Sequence, residues 1–374
     1  MNRRTPARER PKIERLWQPD LPLRLWPLWM GTIPLAMAYR VGLGARSLFW
    51  RAMRKGTDVR TVSVGNLTVG GNGKTPFTLF LANRLAARGL RVGIVSRGFA
   101  GTNRARAAMV SDGREIMMTP EESGDEPIMM AKSFSGPVAI AKRRIDGIRL
   151  LKEAANPDIV ILDDAFQHIR LKRDVDLVLI NRERGLGNGW LLPAGPMRES
   201  GRALRRADAI ILVSGTVAGG GRQVADAGSE KSQKTPVLNA TIRPRALVHV
   251  EKGRWVESAH GIAGRRVVAL SGLADPRGFY AMLHELDADL VGVLEYPDHY
   301  QYSSDDWHEI VTAARDDALI ITTEKDLVKL ERFPFARDSL YALRLEVTMS
   351  PGDAAILDEI VIGGGEAIPN AAQA

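Results

Sequence analysis

Val62-Ser63-Val64-Gly65-Asn66-Leu67-Thr68-Val69-Gly70-Gly71-Asn72-Gly73-Lys74-Thr75-Pro76 is the stretch that decides the fold. A β-branched run feeds a glycine-rich turn, the turn closes in Gly-Lys-Thr, and a helical pattern follows over 76–88. Strand, flexible turn and helix start together make a phosphate cradle: backbone N–H groups converge there, and the helix presents its positive end. The cradle is Thr68, Val69, Gly70, Gly71, Asn72, Gly73, Lys74 and Thr75. In such a loop the lysine reaches the β- and γ-phosphates and the threonine hydroxyl faces Mg²⁺. Thr68 stands where the usual pattern has its first glycine, so Gly70, Gly71 and Gly73 must supply the freedom. A glycine-rich turn with a chance lysine is the plainer alternative, and the strand before and helix after argue against it.

Outward from this turn, apolar runs recur at 91–95, 137–141, 158–162, 176–180 and 209–213, with helical patterns between several of them. Strands alternating with helices predict a P-loop NTPase-type α/β fold, a parallel sheet with helices on both faces. A glycine- and serine-rich break at 214–234 precedes a second α/β pattern over 266–345. With 374 residues the chain exceeds one typical core. The expected division is an N-terminal segment 1–56, a P-loop domain 57–235, a smaller α/β domain 236–350, and a C-terminal helix with a frayed tail over 351–374.

The chain has no cysteine, which excludes disulfides and thiolate metal sites. Its net charge is +8, which favours anionic partners without choosing among them. Part of that charge flanks an apolar stretch. Arg3, Arg4, Arg8, Arg10, Lys12 and Arg15 precede Leu25–Tyr39, and Arg40, Arg46, Arg51, Arg54 and Lys55 follow it. The stretch is shorter than the about 20 apolar residues of a membrane span, and no signal-peptide cleavage site is clear. Basic flanks with Trp26 and Trp29 suit an anchor at an anionic membrane surface, on the cytoplasmic face. A soluble helix packed on the first domain is the alternative.

Several constellations carry chemistry. Pro157–Leu162 reads as a buried strand ending in Asp163 and Asp164, the place where a P-loop protein holds Mg²⁺. Adjacent strand residues point to opposite faces, so one of the two faces the metal squarely. Gln167 and His168 follow closely. Gly124-Asp125-Glu126-Pro127 reads as an acidic loop, able to orient an attacking hydroxyl and take its proton, or simply solvated. Asp298-His299 offers an imidazole with an orienting carboxylate, but by itself reads as structural. Thr323-Glu324-Lys325-Asp326 lacks the asparagine and the order of a guanine-reading motif, so GTP is not inferred. The arginines between 143 and 206 match phosphate geometry, but aromatics are scarce among them, which argues against nucleic acid.

Together these motifs resemble the tetraacyldisaccharide 4′-kinase (lipid A 4′-kinase) family. Besides the P-loop the matching elements are Ser96–Phe99, Gly124–Pro127, Asp163–His168, Leu192–Glu199, Tyr296–Tyr300 and Thr323–Asp326, in the family's order. The resemblance implies ATP- and Mg²⁺-dependent phosphorylation of the 4′-hydroxyl of a tetraacylated glucosamine disaccharide 1-phosphate; the expected setting is the cytoplasmic face of the inner membrane, and the expected state a monomer. It also implies a β-ribbon around 238–256 joining the two domains and an N-terminal membrane-associated helix. By it, Asp125 is the catalytic aspartate, His299 its partner, and Lys74 the phosphate lysine. Thr75, Glu126, Asp163 and Asp164 are metal-site residues, and Arg144, Gln167, His168 and Arg198 are further active-site candidates. Phe99 departs from the family's usual tyrosine. A P-loop ATPase switch acting on a protein partner or in metal cofactor insertion would share Lys74, Thr75 and the strand-end acids. It would need neither the Asp125–His299 pair nor an anchor.

Overall fold

β1 (Arg60–Asn66) is buried along nearly its whole length and lies between β5 (Ile159–Asp163) and β6 (Val175–Asn181), parallel to both. That placement gives a computed structural model its topological centre: the chain leaves β1 to one side and later returns on the other. Ligands of open parallel sheets bind outside the carboxyl ends of strands at such a switch point. The structure describes residues 16–17, 21–215, 235–258, 261–314, 317–333 and 340–363. The basic arm 3–15, the glycine-rich centre of the expected break and the tail beyond Gly363 lie outside the described residues.

Beyond β5 the sheet continues through β2 (Val92–Ser96) and β4 (Val138–Ala141), both parallel, to an antiparallel edge strand β3 (Ala107–Ser111). Beyond β6 come β7 (Ala209–Ser214) and the first part of β8 (Val237–Glu251), again parallel. β8 then runs on, and β13 (Leu340–Met349) pairs antiparallel with it from Ala240 to Val248. β9 (Arg254–Glu257) folds back on the far end of β8. From β13 the sheet goes on in parallel through β12 (Leu319–Thr323), β10 (Arg266–Ser271) and β11 (Asp289–Glu295). The β8–β13 ladder thus links two runs of parallel strands, over the region expected to form a ribbon.

α2 (Lys74–Ala86) follows the loop and buries Phe77, Leu81 and Leu85, spaced four apart, against Val62, Val64, Ile94 and Ile161. Each such side chain contributes about 1.5–3 kcal/mol on leaving water. α9 (Pro351–Ile362) adds Leu357 and Val361 to the same core. Its buried Asp358 accepts a bidentate pair from Arg84 of α2, at 2.8 and 2.6 Å, and a further bond from Arg88. The last described helix therefore clamps the helix that starts at the phosphate loop.

α1 (Trp26–Ala52) extends well beyond the expected apolar stretch. One side docks. Trp29 Nε1 donates to the Ala194 carbonyl at 2.8 Å, Tyr39 Oη donates to that of Arg198 at 3.1 Å, and Ala36 is buried. Leu28, Leu35, Val41, Leu48 and Phe49 are exposed. Among the described residues no helix is long and apolar enough to cross a membrane.

The expected loop at Gly124–Pro127 is corrected. Gly124 separates α3 (Pro120–Ser123) from α4 (Asp125–Ser133), so Asp125 opens a helix. Pro127 suggested a loop, yet a proline in a helix's first turn forfeits no hydrogen bond. Gly124 has φ +90°, and a Cβ there would meet the Phe99 carbonyl oxygen at 2.2 Å. β3 was not anticipated; Ala107-Ala108-Met109-Val110-Ser111 carries little strand pattern.

Candidate active site

The phosphate loop is held open by its own side chains. The Asn72 side-chain amide donates to Thr68 Oγ1 at 3.1 Å and to the Gly70 carbonyl at 3.2 Å; that of Asn66 donates to the Thr68 carbonyl at 2.7 Å. Gly73 caps α2 with φ +71°, and a Cβ on it would strike Ile242 at 2.4 Å. Thr68, at the position of the usual glycine, is buried and bridges to Met197, while Val69 N–H donates to the Pro196 carbonyl at 2.9 Å. The Leu192–Glu199 motif is therefore the outer brace of the loop. Gly70, Gly71, Lys74 and Thr75 line a cleft of about 1870 Å³.

The strand-end acids sit in contrasting environments. Asp163 is buried at the end of β5, within reach of the Thr78 hydroxyl at 3.2 Å. Burial, and then the negative charges of Glu126 and Asp164, push its carboxyl well up, against Lys74 and Arg144. Asp164 has a left-handed backbone, φ +45°, which turns it toward two cations. Arg198 Nη1 donates to both its oxygens at 3.0 Å, and Lys74 Nζ lies 3.8 Å away. Burial opposes its charge, but Lys74 and then Arg198 outweigh it and hold the carboxyl below the usual aspartate range. Among the described residues no three His, Asp or Glu side chains cage a metal by themselves. Mg²⁺ commonly takes one or two carboxylates, with water and phosphate oxygens completing its shell. A buried acid crowded by two others fits such a cation.

The remaining strand-end candidates divide. Arg144 is buried behind β5, and its guanidinium donates to the carbonyls of Ala141 at 2.7 Å and Asp163 at 2.8 Å. Burial lowers its pKa to about 10. It does not line the cleft. Gln167 and His168 do, and the Gln167 amide donates to the Asn66 carbonyl at 2.7 Å. Burial, then Arg144, Arg97, Arg173 and Arg46, push His168 down to about 3, so it is neutral near pH 7.

The second half of the sheet brings His299 to the same cleft. It sits between β11 and α7 (Ser304–Ala313), with φ +58°, a strained setting for a non-glycine residue. Its Nδ1 lies 3.2 Å from Asp125 Oδ2, and its ring stacks at a tilt 5.2 Å from Phe99. Asp125 is buried. Burial opposes its charge, but the His299 hydrogen bond, then Lys329, outweigh it and hold its carboxyl below the ordinary range.

The family model for tetraacyldisaccharide-1-P 4′-kinase (LpxK) matches residues 28–362. The chain belongs to this family. A tetraacyldisaccharide 4′-kinase of Syntrophus aciditrophicus is 38% identical over 91% of this chain and 94% of its own length. One of Geobacter metallireducens is 36% identical over 85% and 92%. The crystal structure of LpxK from Aquifex aeolicus in complex with ATP superposes with TM-score 0.74 at 30% identity, covering 90% of this chain and 98% of that one.

Within this kinase family's motif set, Phe99 has no hydroxyl to offer, and its ring is largely exposed at the cleft edge beside His299. One residue at the site had no sequence signal of its own. Lys329, on α8 (Glu324–Leu330), is buried, with Nζ 3.5 Å from Asp125 Oδ2 and 3.0 Å from Asp326 Oδ1. Its spacing of four from Lys325, past a helix-capping Thr323, puts both on one helix face, a pattern that two solvated lysines would share.

Proposed function

We propose that the protein transfers the γ-phosphate of ATP to the 4′-hydroxyl of a tetraacylated glucosamine disaccharide 1-phosphate, working as a monomer at the cytoplasmic face of the inner membrane. The observation that carries this reading is the Asp125–His299 contact. It joins a helix start to a loop of the other half, and that loop's His299 lines the cleft that the phosphate cradle also lines. A phosphate-binding ATPase has no use for such a pair, whereas transfer to an alcohol needs a group that accepts its proton.

Residues 57–235 then form the nucleotide-holding part, and 236–350 the part that contributes His299. The acceptor oxygen attacks the γ-phosphorus in line. The new O–P bond forms as the bond from that phosphorus to the β–γ bridging oxygen breaks, and Asp125 takes the hydroxyl proton. Lys74 and the loop N–H groups neutralise the phosphate charge. Thr75, Glu126, Asp163 and Asp164 are the residues that would hold Mg²⁺, which when bound neutralises charge on the β- and γ-phosphate oxygens. Arg198 keeps Asp164 oriented beside Lys74. The exposed apolar side of α1 lies in the membrane surface, so the acyl chains need not leave hydrocarbon, at about 0.8 kcal/mol per CH₂. α1 also braces Leu192–Glu199, which in turn braces the P-loop, so the anchor and the cradle are one assembly.

Labelled γ-phosphate transfer to tetraacyldisaccharide 1-phosphate in detergent micelles tests this, with and without Mg²⁺. The expected product is heavier by one phosphate. ATP hydrolysis that requires an added protein or nucleic acid, with the disaccharide unmodified, would replace the reading with an ATPase switch.

A further inference from the structure

A neutral imidazole carries its proton on one nitrogen or the other, and its neighbours decide which. His299 Nε2 lies 3.3 Å from Lys325 Nζ. A lysine ammonium has only protons to give. This one is fixed by a second bond, to Asp298 Oδ1 at 2.6 Å. Nε2 must therefore accept, which places the ring proton on Nδ1, pointed at Asp125 Oδ2. One turn further along α8, Lys329 approaches that same oxygen. Residues four apart share a helix face, so the two lysines flank the aspartate–histidine pair from one side.

Lys329 is only 2% exposed. A lysine this deep is rare, and removing a partner from a buried charge is costly. Its second carboxylate, Asp326, is itself pinned. Asp326 accepts from the Gly272 N–H at 2.9 Å, the Thr323 hydroxyl at 2.8 Å and the Tyr302 hydroxyl at 3.1 Å. Neither α8 lysine contacts the phosphate loop. Both end on the pair that would meet the acceptor.

We propose that α8 positions the acceptor-side pair: Lys325, from the Nε2 side, supports the His299 tautomer that donates to Asp125, and Lys329 anchors Asp125 through Oδ2, so that Oδ1 is the oxygen left for the acceptor hydroxyl. This rests on the reading of Asp125 and His299 given above. The lysines are positioning residues; they act through that pair and not on the reacting atoms.

The test begins without any substrate. In protein labelled with ¹⁵N-histidine at pH 8, His299 should show a protonated Nδ1 and an unprotonated Nε2, assigned by the signal that His299→Asn removes. Lys325→Met leaves Asp125 as the remaining partner that selects the tautomer, so the Nδ1–H form should persist with a minor Nε2–H signal beside it. A wild-type Nε2–H signal would overturn the proposal. In phosphate transfer, Lys325→Met should lower kcat by about 10- to 100-fold, the scale for partners that orient a functional histidine, with KM for ATP within about twofold. Lys325→Arg should recover most of it. A raised KM for ATP at unchanged kcat would make Lys325 a phosphate ligand instead. Lys329→Gln should lower kcat similarly in protein that still folds, melting below wild type because Asp125 and Asp326 lose a buried cation. Wild-type turnover, or failure to fold, would remove Lys329 from the proposal. If the wild type shows the Nδ1–H spectrum but transfers no phosphate to the disaccharide, the acceptor assignment falls and the tautomer assignment stands.

Discussion

The phosphate loop and the aspartate–histidine pair are two kinds of site in one cleft. The loop is mostly local: bonds spanning two to four residues shape Asn66 to Thr75 from within, Leu192–Glu199 braces it from outside, and a contiguous motif specifies it. The pair is assembled: Asp125 and His299 are 174 residues apart and meet only because the β8–β13 ladder joins two runs of parallel strands. A local site depends on backbone conformation, so damage to it should be severe and confined to chemistry. An assembled site depends on the relation between halves, so its parts should behave as a coupled unit.

The largest expected effect is on the local site. Lys74→Ala removes a charge that contacts Asp164 and points into the cleft without entering the core. Transfer should be lost, at a transition-state cost on the order of several kcal/mol, while the thermal melt stays near wild type. Near-normal turnover by the folded variant would remove the P-loop assignment.

The assembled site should lose somewhat less and should show coupling. Asp125→Ala should lower kcat by roughly 10²–10⁴-fold with ATP affinity little changed. His299→Ala should also be damaging, and the double variant should fall short of the summed losses, because removing either partner disables the pair. A double-mutant cycle in steady-state kinetics measures this. Full additivity would mean that the two act separately.

That contrast also explains what the sequence made legible. The loop could be read because glycine spacing, lysine and flanking periodicity sit in one window. Asp163 and Asp164 could be read because a buried strand must end somewhere, and this one ends in acids. Asp125 was visible as a residue but misplaced in a loop, since Gly-Asp-Glu-Pro has loop composition and its helix is only nine residues long. Family resemblance, not spacing, paired it with His299. Lys329 was invisible, because a lysine in a short helix looks solvated until the fold buries it. Likewise the docked side of α1 is set by Ala194 and Arg198 carbonyls over 150 residues away, which no periodicity encodes.

A smaller effect on chemistry separates the proposed anchor from both sites. Leu35→Glu with Leu48→Glu places charge on the exposed side of α1 and leaves Trp29 and Tyr39 docked. Sedimentation with anionic vesicles should drop sharply, and turnover of the acylated acceptor at a vesicle surface by less than in the site variants. ATP affinity should not change. Equal pelleting of the variant and wild type would place membrane contact elsewhere.

The smallest effect belongs to the other histidine of the cleft, and it sharpens the comparison because His168 is local to the P-loop half. His299 spends its ring on a carboxylate; His168 is buried among arginines and held down to about 3. In the unfolded chain a histidine titrates near 6.5. Between those values the unfolded state binds a proton that the folded state refuses, so stability falls as pH drops through that window. Above pH 6.5 neither state is protonated and the contribution is fully present. His168→Gln keeps a polar, uncharged side chain and removes the titration. Its melting temperature should therefore decline less steeply than wild type from pH 6.5 downward, with the two curves parallel above it. Equal slopes in the acid range would mean that the arginine surroundings of His168 relax enough to admit the proton.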